Sequence, residues 1–121
     1  LMHSKQVGME WRSACPVSCA MAVLGDKWSL LIIRDLLMFD TRTYSNFRES
    51  SEHISTNILA ERLKRLTAMG VIERINHEAT ARNNAVQLTE SGQGLRPVGE
   101  SIYVWADSHR RDFNPDTAAA I

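Results

Sequence analysis

Hydrophobic residues recur at helical spacing through the first third of the chain. Pro16 suits the first position of a helix, and apolar positions follow it until Gly25, which predicts a short first helix. Asp26 is a candidate N-cap for a second helix that runs to about Phe39. The apolar stripe of this second helix consists of Trp28, Leu31, Ile32 and Leu36. A polar break is predicted at residues 40–43.

The next segment predicts a short helix, a turn and a longer amphipathic helix. Residues 44–51 suit the short helix, with Tyr44, Phe47 and Ile54 turned inward. Ser55 is a candidate N-cap of the longer helix, and Gly70 is a candidate C-terminal stop. At about 100° per residue, its apolar and polar positions fall on opposite faces. The apolar face holds Leu59, Leu63 and Leu66, and the polar face holds Asn57, Glu61, Lys64, Arg65 and Ala68.

The pattern then changes from helical to β-type. Two short apolar runs, at 71–75 and 85–88, flank a polar stretch and predict a hairpin with a long tip. Thr89 is a candidate cap of a final helix, which Pro97 should bend or restart near Leu95. The apolar seam of that helix consists of Leu95, Val98, Ile102 and Trp105.

This order of elements predicts an α+β, mainly α, winged helix-turn-helix domain over residues 14–113. Tails are expected at 1–13 and 114–121, because neither end keeps an apolar period. In such a fold the polar-faced helix enters the major groove of DNA, while the hairpin reaches the minor groove or the phosphates.

Length and composition support one globular domain. The chain has 121 residues, of which 44% are hydrophobic and 23% charged. Its 14 basic residues balance its 14 acidic residues, so a charged partner must meet a local patch. The most apolar segment is interrupted by Arg34 and Asp35 and falls short of the roughly 20 residues of a membrane span. Since residues 1–10 also lack secretory features, we expect a cytoplasmic chain without a membrane partner.

No strong catalytic or cofactor motif is present in the sequence. The four histidines are scattered, and the two cysteines are too few for a disulfide scaffold. We therefore expect no enzyme activity, no cofactor and no metal.

Seven sequence blocks occur in the order of a known family. They read CPV at 15–17, GDKWSLLIIRDL at 25–36, YSNF at 44–47, ISTNILAERLKRL at 54–66, GVIER at 70–74, LTESG at 88–92 and LRPV at 95–98, followed by Trp105. Through these blocks the chain resembles the HxlR-type bacterial transcriptional regulators, relatives of the MarR-like winged-helix proteins. The resemblance implies a sequence-specific and usually dimeric regulator that binds double-stranded DNA.

The resemblance also implies that the first and last helices form the homodimer. The corresponding apolar residues here are Val17, Met21, Leu95, Val98, Ile102 and Trp105.

Two departures from the family pattern are present. His53 stands where the family often has glycine before the Ile-Ser of the recognition helix, and residues 80–84 replace a Pro-Pro-Arg element of the hairpin tip.

Candidate DNA contacts lie on the predicted recognition helix and hairpin tip. They are Ser55, Thr56, Asn57, Arg62, Lys64, Arg65, Arg82 and Asn83. Each has a plainer alternative. Ser55 can serve only as an N-cap, Arg62 can pair with Glu73 or Glu52, and the other charged side chains can simply be solvated.

Cys15 is a candidate redox-sensing thiol because it precedes Pro16 and so occupies an N-cap position, where the helix dipole favours a thiolate. Arg12 is expected nearby. Some members of the resembling family use a cysteine at this position to sense oxidants or electrophiles, and a small-molecule effector is the other option. Cys19 is expected to be buried, and a bridge to Cys15 within the helix would be strained.

Two other classes of function remain open at this point. A winged-helix module that binds proteins instead of DNA would show apolar residues in place of Asn57, Lys64 and Arg65. A small cysteine-dependent enzyme would need a general base beside Cys15, and no nearby histidine supplies one.

Overall fold

A computed structural model describes residues 11, 13–50, 52–76 and 84–110. Its elements, in chain order, are α1 (Pro16–Leu24), α2 (Lys27–Phe39), β1 (Thr41–Arg42), α3 (Tyr44–Arg48), α4 (Thr56–Ala68), β2 (Ile72–Arg74), β3 (Val86–Leu88), α5 (Glu90–Gln93) and α6 (Arg96–His109). This mostly helical architecture with a small antiparallel sheet confirms the predicted winged helix-turn-helix. Most of both predicted tails lies outside the described residues.

Local capping chemistry fixes the helix starts. The Asp26 carboxylate accepts a hydrogen bond from the Ser29 backbone N–H at 3.0 Å and caps α2 as predicted. Ser55 caps α4 by accepting from the Ile58 backbone N–H at 3.3 Å. Beyond the end of α4, Gly70 has φ 75°, a left-handed conformation that glycine adopts without strain. The helix following the turn therefore begins and ends close to where the sequence predicts.

The sheet has three strands, not the predicted two. The strand order is β1-β3-β2, and both pairings are antiparallel. Residues 40–43, expected to be only a polar break, contain β1, whose Thr41 lies opposite Gln87 and whose Arg42 lies opposite Val86. Two polar residues carry no detectable alternation, so this strand is defined by its pairing with β3 and not by its own pattern.

The predicted final helix is divided into α5 and α6. Thr89 caps α5 by accepting from the Gly92 backbone N–H at 3.1 Å, and the chain restarts as α6 with Pro97 in the first turn. This confirms the predicted restart near Leu95. α3 ends at Arg48, three residues earlier than expected, because the chain turns at Glu49 and Ser50.

One hydrophobic core joins α2, α4 and the sheet. Its buried residues are Leu24, Ile32, Ile33, Leu36, Phe47, Ile54, Leu59, Leu66, Val71, Ile72, Val86 and Leu88. None of residues 96–109 is fully buried, so α6 lies on the outside of this core. The core thus holds α4 with one face inward and leaves α6 with an uncovered face.

Candidate nucleic-acid interface

α3 and α4 form the helix-turn-helix. Thr43 and Asn46 make a capping box at the start of α3, with hydrogen bonds of 2.9 and 3.2 Å in the two directions. The Tyr44 hydroxyl donates to the Thr56 carbonyl oxygen at 3.5 Å, and Phe47 is buried in the core. α3 is therefore joined to the first turn of α4 by a direct hydrogen bond as well as by packing.

The turn before α4 contains a strained residue. His53 has φ 56°, in the left-handed region that disfavours residues with a Cβ atom, while the following Ile54 is buried. This is the position at which the resembling family often has glycine. The backbone conformation gives the reason for that glycine.

Three of the predicted contact residues on α4 are exposed. Thr56, Asn57 and Lys64 all face solvent, while Leu59 and Leu66 on the opposite side are buried. For these residues the exposure confirms the predicted division of α4 into a core face and a polar face. Ser55 is exposed too, and its hydroxyl serves as the N-cap, in agreement with the plainer alternative.

Arg62 differs from the expectation. Its Nε donates to Asp26 Oδ1 at 2.9 Å, and its guanidinium also pairs with Glu61. The ion pair that Arg62 forms is therefore not the alternative one with Glu73 or Glu52, because α4 packs beside the start of α2. The side chain is only 22% exposed, and hydrogen bonds to Asp26 and Glu61 raise its pKa.

Arg65 is also turned away from the polar face, contrary to the prediction. Its Nη2 donates to the Ala22 carbonyl oxygen in the last turn of α1, and its Nη1 lies 3.8 Å from Asp26 Oδ2. The side chain is 30% exposed. The long side chain of Arg65 reaches the corner between α1 and α2. Helical periodicity gives the direction of the Cα–Cβ bond but does not show where such a side chain ends.

Asp26, Ser29, Arg62 and Arg65 form a polar cluster with the Asp26 carboxylate at its centre. Both of its carboxylate oxygens are occupied, by Ser29 and by the two arginines. Burial alone would raise the pKa of Asp26, but hydrogen bonds from Arg62 and Ser29 and the charge of Arg62 outweigh it and hold the pKa at about 2, below its ordinary 3.8. The carboxylate is therefore ionised at any physiological pH.

The base of the hairpin is ordered by a buried amide. Asn84 is 3% exposed, accepts a hydrogen bond from the Asn76 backbone N–H at 3.1 Å and donates to the Asn76 carbonyl oxygen. It joins the two arms just before the tip. The predicted tip contacts, Arg82 and Asn83, lie outside the described residues.

Cys15 occupies the N-cap position of α1, as predicted, and is exposed. Its thiol makes no capping hydrogen bond, while its backbone N–H donates to Ser13 Oγ at 3.2 Å. Cys19 is half-buried instead of buried, and its thiol donates to the Ser13 carbonyl oxygen at 3.5 Å. Arg12, expected near Cys15, lies outside the described residues.

The predicted dimer residues form exposed apolar faces, with one exception. Val17 and Met21 are exposed one turn apart on α1, and Val98, Ile102 and Trp105 are exposed on α6. Leu95 lies in the turn before α6 and packs half-buried against the core, so the exposed seam begins at Val98. Tyr103 and Val104 add exposed apolar area beside it.

The described ranges were also searched for metal sites and for membrane-spanning helices. No group of three or more histidine, cysteine, aspartate or glutamate side chains there is arranged to hold a metal ion. No single helix in these ranges is long and apolar enough to cross a membrane, although α1 and α2 pass that test together as a pair bent by 84°.

A second ion-pair cluster was not predicted. Asp35 is buried in α2 and pairs with Arg34 at 2.9 Å, while Arg42 of β1 lies 3.9 Å from its other oxygen. The Arg42 guanidinium also stacks 3.9 Å from the centroid of the Phe39 ring. One feature of the sequence indicates an ion pair here: Asp35 stands next to Leu36 on the buried side of α2, where a charge requires a partner.

Comparison with known proteins agrees with this architecture. The HxlR-like helix-turn-helix family matches residues 23–113. The HTH-type transcriptional regulator YodB of Bacillus subtilis (strain 168) is 35% identical over 94 residues, covering 77% of this chain and 83% of YodB. Its reduced form, 33% identical, superimposes with a TM-score of 0.65 over 80% of this chain and 95% of that one. Quinone-bound and diamide-treated YodB have also been solved.

Two other solved structures are similar. PA1607 is 31% identical, with a TM-score of 0.71 over 90% of this chain and 70% of that one. The redox regulator HypR in its oxidized form is 25% identical, with a TM-score of 0.69 over 78% of this chain and 97% of that one.

Fold and site together define a helix-turn-helix transcriptional regulator with a MarR-like winged-helix architecture. The chain belongs to the HxlR-like helix-turn-helix family.

Proposed function

We propose that the protein is a homodimer that binds a specific double-stranded DNA operator through the exposed face of α4. The observation that carries the proposal is the position of Thr56, Asn57 and Lys64, exposed together on the second helix of a helix-turn-helix. Short polar side chains in the first turn of such a helix suit base edges, and a lysine two turns later suits a phosphate. Arg82 and Asn83 of the hairpin remain predicted contacts.

The dimer is supported by the apolar faces of α1 and α6. Val17, Met21, Val98, Ile102 and Trp105 expose large side chains that the core of one subunit leaves uncovered. Two copies would cover these faces and would present two recognition helices to a pseudo-palindromic operator.

The rival module that binds proteins calls for apolar side chains on the exposed face of α4. Thr56, Asn57 and Lys64 are polar, so this alternative is disfavoured. The family consists of transcriptional regulators, and this argues equally against a cysteine-dependent enzyme.

DNA binding is tested by selecting duplexes from a random-sequence library with the unmutated protein and comparing the selected duplex with a scrambled one. We expect at least a thousandfold preference at physiological salt, the lower range for specific DNA-binding proteins. A preference that stays near unity would contradict sequence-specific binding.

We further propose that Cys15 makes operator binding responsive to thiol-reactive compounds. Support comes from its exposed position at the start of α1 and from similarity to YodB, whose quinone-bound and diamide-treated forms have been solved. A quinone would form a bond between the Cys15 sulfur and a ring carbon, and the thiol proton would end on a ring oxygen. Because α1 belongs to the proposed dimer interface, the adduct would alter the separation of the recognition helices.

The test compares Cys15→Ser with its matched control Cys19→Ser. Benzoquinone should change operator affinity in the unmutated protein and in Cys19→Ser, and should leave Cys15→Ser unchanged. If Cys15→Ser responds like the unmutated protein, another group is the sensor.

A further inference from the structure

The recognition helix is attached to the corner between α1 and α2 through one carboxylate. Asp26 stands between these two helices and contacts Arg62 and Arg65 of α4, 36 and 39 residues further along the chain. We propose that Asp26 is a positioning residue for the recognition helix, which sets DNA affinity by holding these two arginines and without touching DNA itself. This inference rests on the proposed function, because it presumes that α4 binds the operator.

The geometry of the carboxylate is fixed from its own helix. Ser29 donates to it twice, from its backbone N–H to Oδ1 at 3.0 Å and from its hydroxyl to Oδ2 at 2.8 Å. Arg62 then binds Oδ1 at 2.9 Å, and Arg65 approaches Oδ2 at 3.8 Å. Two arginines one turn apart on α4 thus meet one pre-oriented acceptor, which restricts both sliding and rotation of the helix.

Arg65 extends the attachment to α1. Its second donor reaches the Ala22 carbonyl oxygen in the last turn of that helix. Cys15 lies at the opposite end of α1, so a displacement of this helix would move an acceptor of the recognition helix. The cluster is therefore a direct contact between the element that carries the candidate thiol and the element that faces DNA.

In a competing interpretation, Arg62 and Arg65 are DNA contacts, and their ion pairs with Asp26 compete with DNA for them. The two interpretations predict opposite effects of Asp26→Asn. If the arginines position α4, loss of the carboxylate charge loosens the helix and weakens binding, while the number of neutralised phosphates stays the same. If they contact DNA, the same change frees two cations, which tightens binding and steepens its salt dependence.

The experiment measures the dissociation constant of the selected duplex between roughly 50 and 200 mM salt for three variants. Asp26→Asn and Arg65→Gln should each weaken binding about tenfold and leave the slope of log affinity against log salt unchanged. Lys64→Gln, the matched control on the exposed face, should reduce that slope by about 0.9 for each phosphate that the variant no longer neutralises. Tighter binding or a steeper slope for Asp26→Asn, or unchanged affinity in both cluster variants, would overturn the proposal.

Folding is monitored by circular dichroism, and binding is compared well below each melting temperature. Arg65→Gln leaves the Asp26 cap on Ser29 intact and decides the question alone if Asp26→Asn does not fold. A flatter slope for Arg65→Gln would assign it to a phosphate and reject the positioning role. Failure of the unmutated protein to select any duplex would instead reject the proposed function.

Discussion

The guanidinium of Arg110 lies 5.1 Å from the centroid of the Trp105 ring, at the end of α6. The His109 ring lies beside the same indole, with ring centroids 5.8 Å apart. Cation–π and aromatic contacts of this kind restrict the rotamers of an indole side chain. Trp105 nevertheless remains 55% exposed. It is therefore a partly ordered aromatic side chain available to a partner, the usual character of an interface anchor.

Trp105→Ala should weaken self-association by about 2 kcal/mol or more, because interface energy concentrates in buried aromatic anchors. Sedimentation equilibrium measures the dimer dissociation constant, and Ser108→Ala on the same helix is the matched control. A monomeric unmutated protein at micromolar concentrations would contradict the dimer itself.

α6 approaches α2 closely at Gly99. A Cβ atom at this position would lie 3.2 Å from Leu37 Cδ1, beside an apolar groove of about 610 Å³ between the two helices. Gly99→Val should destabilise the protein by about 1–3 kcal/mol through overpacking. Gly99→Ala should change stability little, because a helix-propensity gain of about 1 kcal/mol opposes the mild contact. Urea unfolding at fixed protein concentration measures both, and equal effects of the two substitutions would contradict the close approach.

The left-handed conformation of His53, in the turn before α4, leads to a separate prediction about stability. His53→Gly should stabilise the protein by roughly 1 kcal/mol, because glycine adopts φ 56° without the Cβ penalty. His53→Ala retains that penalty and should bring no gain. Thermal or urea unfolding would show the difference, and a destabilised glycine variant would mean that the imidazole makes a contact worth more than the strain.

The low pKa of Asp26 predicts an acid-dependent loss of stability. Its folded pKa of about 2 is below its ordinary 3.8, so the stabilisation from the ionised carboxylate is complete above about pH 5 and is lost as pH falls towards 2. In Asp26→Asn, the dependence of the urea midpoint on pH should be flatter across this window. Asp40→Asn, which removes an exposed aspartate, is the control, and an unchanged profile for Asp26→Asn would contradict the assignment.

The elements that the sequence predicted correctly are those encoded locally. Asp26 and Ser55 cap their helices through residues three positions later, and Gly70 follows a helix that needs a left-handed residue. The exposure of Asn57 and Lys64 opposite the buried Leu59 and Leu66 follows from 3.6-residue periodicity alone. Such features require no knowledge of what packs against what, so a pattern of residue types is sufficient.

The features that the sequence did not reveal depend on tertiary contacts. β1 is a strand only because β3 lies beside it, and Arg65 has its partners because α1 and α2 meet next to α4. The spacing of Leu95 predicts a place in the dimer seam, but the restart of α6 turns it towards the core. Helical periodicity cannot show where a long side chain ends or how a break rotates the following helix.

Substitution of Asn57 tests the central claim, that side chains on the exposed face of α4 contact the bases of the operator. We measure the affinity of Asn57→Ala for the selected duplex and for a scrambled duplex, with Thr67→Ala at the far end of α4 as the control. Removal of a base contact worth about 1–3 kcal/mol should weaken binding to the selected duplex about tenfold or more, and leave the scrambled duplex and the control nearly unchanged. Equal losses of affinity on both duplexes, or none on either, would contradict the account.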